Sequence, residues 1–119
     1  MPLTLEQRRM LRAYESTQNL TAHQAEWKRA AMDLGANVQR CGLLQALAFL
    51  KRDAAPVAPG LLALLRDHLV DRSILPDGCD QDLAEAVARI QHVRQYMLAT
   101  RETLAFSLWL KRSAQALLD

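Results

Sequence analysis

Aromatic residues make up only 5% of this 119-residue chain, which holds four glycines, four prolines and two cysteines. Few glycines and prolines mean few turns, and with leucine and alanine dominant the composition argues for helix over sheet. Cys41 sits in a helical pattern and Cys79 in a loop, without a second metal-ligand pair. Two lone cysteines in a helical domain fit a reduced, cytoplasmic protein. No run of about 18 uncharged apolar residues occurs, so no membrane span is expected. The first 20 residues scatter Arg8, Arg9 and Arg12 among polar groups and lack the apolar segment of a signal peptide. Catalytic signatures are missing as well. There is no phosphate-cradling glycine loop, metal-ligand cluster, fixed carboxylate pair or Cys–His constellation, and His23, His68 and His92 fall on three helices. A non-enzymatic protein without metal or cofactor is expected.

Half of the chain is apolar. At this length that suffices for one core, not two. The expectation is a single domain, residues 1–119, built as a compact all-α bundle of about five to six helices. The net charge of +2 is unevenly spread. Residues 1–20 carry +1, residues 21–52 carry +3, residues 53–100 carry −3 and residues 101–119 carry +1. Basic ends around an acidic middle can make a basic surface on a nearly neutral protein.

A first helix is predicted from Met1 to Gln18, with Thr4 as N-cap, Gln7 three residues on, and Leu3, Gln7, Met10 and Tyr14 on one side. Thr21 is expected to cap a second helix through Trp27, a core anchor, ending at Gly35-Ala36-Asn37. Pro56, Pro59 and Gly60 place a surface loop over 53–60. Leu61–Arg72 then reads as a short surface helix on which His68 is decoration. Asp80 is expected to cap a helix from Gln81 to Leu98, with Leu83, Val87, Ile90 and Met97 inward and a Glu85–Arg89 pair outside. Thr100 is expected to open the last helix, with Glu102 near the positive end of its dipole.

The centre of the pattern is the stretch from Arg40 to Arg52. At 100° per residue, Leu43, Ala46, Leu47 and Leu50 share an oily face, whereas Cys41, Gln45, Ala48 and Arg52 share a small, polar one. The last helix is apolar nearly all round, which marks it as central to the core or covered by a partner. Its exceptions, Arg101, Lys111, Arg112 and Gln115, lie close together on the wheel.

Gly42-Leu-Leu-Gln45-Ala-Leu-Ala-Phe49-Leu, then Tyr96, Thr100-x-Glu102 and Trp109-Leu-Lys-Arg-x-Ala114 resemble the small subunit of type III-B (Cmr) CRISPR effector complexes. The opening Leu5-Glu-Gln-Arg8-Arg9, with Tyr14, is similar to that family's first helix. One departure is Cys41 where the family typically has asparagine before Gly42, which removes a polar side chain from the start of the central motif. The resemblance implies a helical bundle that binds nucleic acid without cutting it. Several copies would stack head to tail beside the backbone and large subunits, along the guide RNA–target RNA duplex. The matching RNA-binding positions are Gln45, Lys51, Arg52, Lys111 and Arg112, with Arg40 and Lys28 less directly matched.

Holding any target sequence calls for contacts to phosphate and sugar, which lysines and arginines spaced along helices supply. Sequence reading would then fall to guide–target pairing. The nearest rival is the small subunit of the sister type III-A complex. Further off stand a DNA-binding helix-turn-helix regulator, for which no short-turn recognition pair is found, and a pure helical adaptor that would be indifferent to replacing Lys111 and Arg112.

Overall fold

The computed structural model describes residues 2–118; Met1, with which the first helix was expected to begin, and Asp119 lie outside them. The described residues form six α-helices and no strand, as the composition led one to expect: α1 (Leu5–Gln18), α2 (Gln24–Cys41), α3 (Leu43–Asp53), α4 (Ala58–Asp71), α5 (Leu83–Ala88) and α6 (Val93–Leu117). At 1.5 Å per residue α6 is about 37 Å long, close to the 41 Å longest dimension of the molecule. It is the axis on which α1 and α2 pack, while α3 lies on α2 and α4 and α5 close the other side. Phe106 of α6 is fully buried, in one core with Leu43, Leu47, Leu61, Leu65 and Leu110.

Thr4 caps α1 as expected. Its hydroxyl accepts from the Gln7 N–H at 3.1 Å, and the Gln7 side chain accepts from the Thr4 N–H at 2.8 Å, a reciprocal box that satisfies two orphan donors. Trp27 is buried, as its core role requires, and Glu85 and Arg89 pair at 2.8 Å. Leu83 and Val87 point inward.

Several boundaries fall elsewhere. The residue before α2 is His23, held in the left-handed region at φ 57°, rather than Thr21. Gly35, Ala36 and Asn37 do not end α2, which runs on to Cys41. Gly35 sits where α2 and α6 approach so closely that a Cβ there would lie 2.8 Å from the Ser107 hydroxyl. Packing against α6 thus overrides the weak local tendency to stop. The true break is Gly42, at φ 88° and ψ 165°, a conformation essentially reserved for glycine. Cys41 therefore closes α2 instead of sharing a face of α3 with Gln45, Ala48 and Arg52.

Past α3, Pro59 and Gly60 belong to the first turn of α4, where a missing N–H costs nothing. Asp82, not Asp80, caps α5 by accepting from the Glu85 N–H at 3.3 Å. That helix stops at Ala88 and does not reach Leu98. The last helix starts at Val93 instead of Thr100, whose hydroxyl donates to the Tyr96 carbonyl inside α6. Glu102 is consequently mid-helix and buried, far from any positive dipole end. Met10, Met97, Leu108 and Leu117 are exposed, so α1 and α6 are less completely enclosed than their apolar residues suggested.

Candidate nucleic-acid interface

The cations singled out in the sequence fall into three situations. Lys28 is half-buried and reaches the Leu118 carbonyl at 3.5 Å, satisfying the end of α6. Lys51 and Arg52, exposed at the end of α3, face carboxylates: Lys51 lies 3.3 Å from Asp82, and Arg52 donates twice to Asp53 at 2.7 and 3.1 Å while lying over the Phe49 ring. That hydrogen-bonded guanidinium holds the Asp53 carboxyl below its ordinary range. Lys111 and Arg112, on the exposed side of α6, have no acidic partner among the described residues. Arg112 stacks its guanidinium 4.9 Å over the half-buried Trp109 ring. Gln45 is exposed, and exposed Arg40 donates to the Asn37 side chain at 2.8 Å.

The two strips do not merge. α2 and α6 run antiparallel, since Lys28 meets Leu118 while Gly35 meets Ser107. Between them runs a shallow groove lined by Met32, Gly35, Gln39, Leu104, Leu108 and Lys111. The opposite flank of α2 faces α3 across a hollow that includes Phe49 and Asp53, beside Arg52. Lys111 and Arg52 thus border different flanks of the same helix. Of these two flanks, only that of α6 offers its candidate cations free of carboxylates.

A second ionic assembly, absent from the sequence-level candidates, lies inside. The Glu102 carboxylate accepts from Arg9 Nε and Nη2, both at 2.7 Å, and from His68 Nε2 at 2.7 Å, with Arg72 Nε 3.7 Å away. His68 is buried, not a surface decoration; it stacks on Phe106 with ring centres 4.3 Å apart, and its Nδ1 lies 3.4 Å from Arg12 Nη1. Arg12 can only donate and Glu102 only accept, so the geometry suits a neutral imidazole with its proton on Nε2. Burial lowers the His68 pKa, opposed by Glu102 and helped by Arg12 and Arg9. Burial alone would raise the Glu102 carboxyl, but the hydrogen bonds from Arg9 and His68 outweigh it and keep it below the usual range. The assembly ties α1, α4 and α6 together. A legible signal existed: Arg9 and Glu102 each belong to a motif that carries the resemblance, and they are each other's partner.

The same holds for the central motif. The N–H of Leu44, an orphan donor in the first turn of α3, donates to the Tyr96 hydroxyl at 3.4 Å. Among the described residues no three His, Cys, Asp or Glu side chains gather as a metal site would require.

The family described as CRISPR-associated protein (Cas_Cmr5) matches residues 5–117. The "CRISPR system Cmr subunit Cmr5" of Thermus thermophilus is 34% identical over 110 residues, covering 91% of this chain and 90% of the relative. The X-ray crystal structure of a CRISPR-associated Cmr5 family protein from Thermus thermophilus superposes with a TM-score of 0.78 at 32% identity, over 98% of this chain and 100% of that one.

Proposed function

The chain belongs to the CRISPR-associated Cmr5 family, the small subunit of the type III-B (Cmr) complex, and from that premise we propose that it is a non-catalytic filament subunit. Several copies line up beside the guide–target RNA duplex and hold the target strand by its sugar–phosphate backbone. The other Cmr subunits supply the guide, the cleavage and the signalling. The type III-A alternative gives way because the matched family and relative are Cmr proteins.

The observation that carries the RNA-binding part is the pair Lys111–Arg112. These cations are exposed on one side of α6 and unneutralised by this chain's described residues. A phosphate can approach them without breaking an existing pair. Lys51 and Arg52 are held back by Asp82 and Asp53, but exposed pairs are worth only about 0–1 kcal/mol, so a phosphate can compete for them. One isolated copy with a net charge of +2 binds RNA weakly. Copies held in series gain through effective concentration.

The test is target-RNA binding by the reconstituted complex across a salt series. Each phosphate neutralised on a single strand contributes about 0.7 to the log–log salt slope. Lys111→Ala/Arg112→Ala should then make the slope shallower by about 1.4 per engaged copy. Lys51→Ala/Arg52→Ala should have a smaller effect. A complex that retains all its copies yet binds RNA with an unchanged slope refutes the assignment of Lys111 and Arg112.

A further inference from the structure

Two surfaces of the chain match each other. On the α2–α3 flank lies a hollow of ≈ 90 Å³ with an apolar floor that includes Ala30, Leu34, Phe49 and Leu50. It is smaller than the roughly 150 Å³ that holds a benzene ring, so it suits an aliphatic side chain. Its rim carries the carboxylates Glu26, Asp33 and Asp53 against the single cation Arg29. Asp53 is engaged by Arg52 and Glu26 stands 4.0 Å from His23, while Asp33 has no ionic partner among the described residues. Such a rim attracts a basic protein segment.

The chain itself offers one. At the start of α6, Val93, Met97 and Leu98 are 76%, 57% and 45% exposed. Arg94 and Arg101 flank them, both exposed and without an acidic partner among the described residues. At 100° per residue, Arg94, Met97, Leu98 and Arg101 fall within about 100° of arc. The spacing also agrees. Arg94 and Arg101 are seven residues apart on α6, and Glu26 and Asp33 are seven apart on α2, each pair about 10 Å along its helix axis.

We infer that this face of α6 docks onto the α2–α3 hollow of a second copy, with Met97 and Leu98 over the apolar floor and Arg94 and Arg101 against the Glu26 and Asp33 carboxylates. Because the two surfaces differ, the contact is heterologous, and repetition gives an open series rather than a closed pair. Lys111 and Arg112, further along α6, stay available to RNA. This assignment rests on the filament reading, to which it adds the faces that meet. Four α6 side chains are few beside the roughly 20–30 residues a side of a standard interface, so association of free chains is weak and depends on concentration.

Sedimentation velocity of the free chain at low salt, from micromolar to near-millimolar concentration, tests the pairing. Wild type should self-associate progressively. Leu98→Glu, Arg94→Glu/Arg101→Glu and Glu26→Arg/Asp33→Arg should each weaken association at least tenfold. Mixing the two charge-reversed variants should restore association as an open series in which the two alternate one to one, which neither forms alone. A chain monomeric throughout, a closed dimer, or association indifferent to these changes overturns the pairing. Copy number in the reconstituted complex keeps the two ideas apart. Several copies retained by the charge-reversed variants refute the pairing and leave the filament standing; a single copy in the wild-type complex refutes the filament.

Discussion

Replacing Glu102 with glutamine keeps the volume of the side chain and removes one buried negative charge. Glu102 is 6% exposed and faces Arg9, His68 and Arg72. Arg72 Nε is buried and makes no hydrogen bond among the described residues, so the nearby carboxylate is what compensates it. Removing one partner of a buried ion pair typically costs about 3–5 kcal/mol because the other charge is left uncompensated. Arg9 retains 20% side-chain exposure and can partly rehydrate, which favours the lower end, about 3 kcal/mol. With an unfolding entropy of about 2.1 cal/mol/K per residue, that loss lowers the melting temperature of a chain this long by about 12 °C. Scanning calorimetry at pH 7.5 measures it directly. A double-mutant cycle with Arg9→Gln should return a coupling above about 1 kcal/mol, beyond what independent sites show. A drop of less than about 4 °C, or additive losses, would mean that apolar packing alone holds α1 and α4 to α6.

The remaining predictions concern the same helices. His68 has a folded pKa below its ordinary 6.5, so between those values the unfolded chain binds more protons and stability falls as pH drops below about 6.5. Glu102, also lowered, adds a contribution present above 4.5 and lost as pH falls through its folded value. Urea denaturation at pH 7.5, 6.0 and 5.0 should show this decline, and His68→Gln should flatten its upper part. Gly35→Ala alone should destabilise by about 1 kcal/mol, because the new Cβ displaces the Ser107 hydroxyl from its 2.7 Å bond to the Leu104 carbonyl. Gly35→Ala/Ser107→Ala removes that clash, leaving only an ordinary 3.7 Å contact with the Ser107 Cβ position, so chemical denaturation should find it more stable than the single variant by about 1 kcal/mol. Gly42→Ala should cost about 1–3 kcal/mol, since nothing crowds the position and only its backbone conformation resists a side chain.

Helical class and much of the inward-facing pattern could be read from the sequence, because leucine and alanine at helical spacing leave little choice. Thr4 with Gln7, buried Trp27 and the oily face of α3 followed directly. What escaped was set by contacts distant along the chain. Gly35 and Asn37 resemble an ending until α6 is close enough to require a glycine. Thr100 resembles a cap until the helix proves to begin seven residues earlier. His68 looked incidental because its partners lie on α1 and α6. The candidate cations were legible as residues but not as charges: whether a carboxylate already faces each one depends on tertiary structure, and Asp82 lies 31 residues from Lys51.

That distinction changes what the motif residues mean. Arg9 and Glu102, which help mark the family resemblance, are partners in a largely buried ion pair and are not offered to a ligand. Tyr96 and Gly42 shape the junction of α2, α3 and α6. The departure at Cys41 belongs with them. Because Cys41 is the exposed last residue of α2, a polar side chain there would not begin α3. The first turn of α3 instead finds an acceptor in the Tyr96 hydroxyl. Tyr96→Phe should therefore destabilise the α2–α3 junction by about 1 kcal/mol, the usual net value of one such hydrogen bond. It should leave the salt slope of RNA binding untouched, whereas Lys111→Ala/Arg112→Ala should alter the slope and leave the melting temperature nearly unchanged. If Tyr96→Phe weakened RNA binding at full stability, the hydroxyl would belong to the RNA surface, and the separation of scaffold from binding residues would fail.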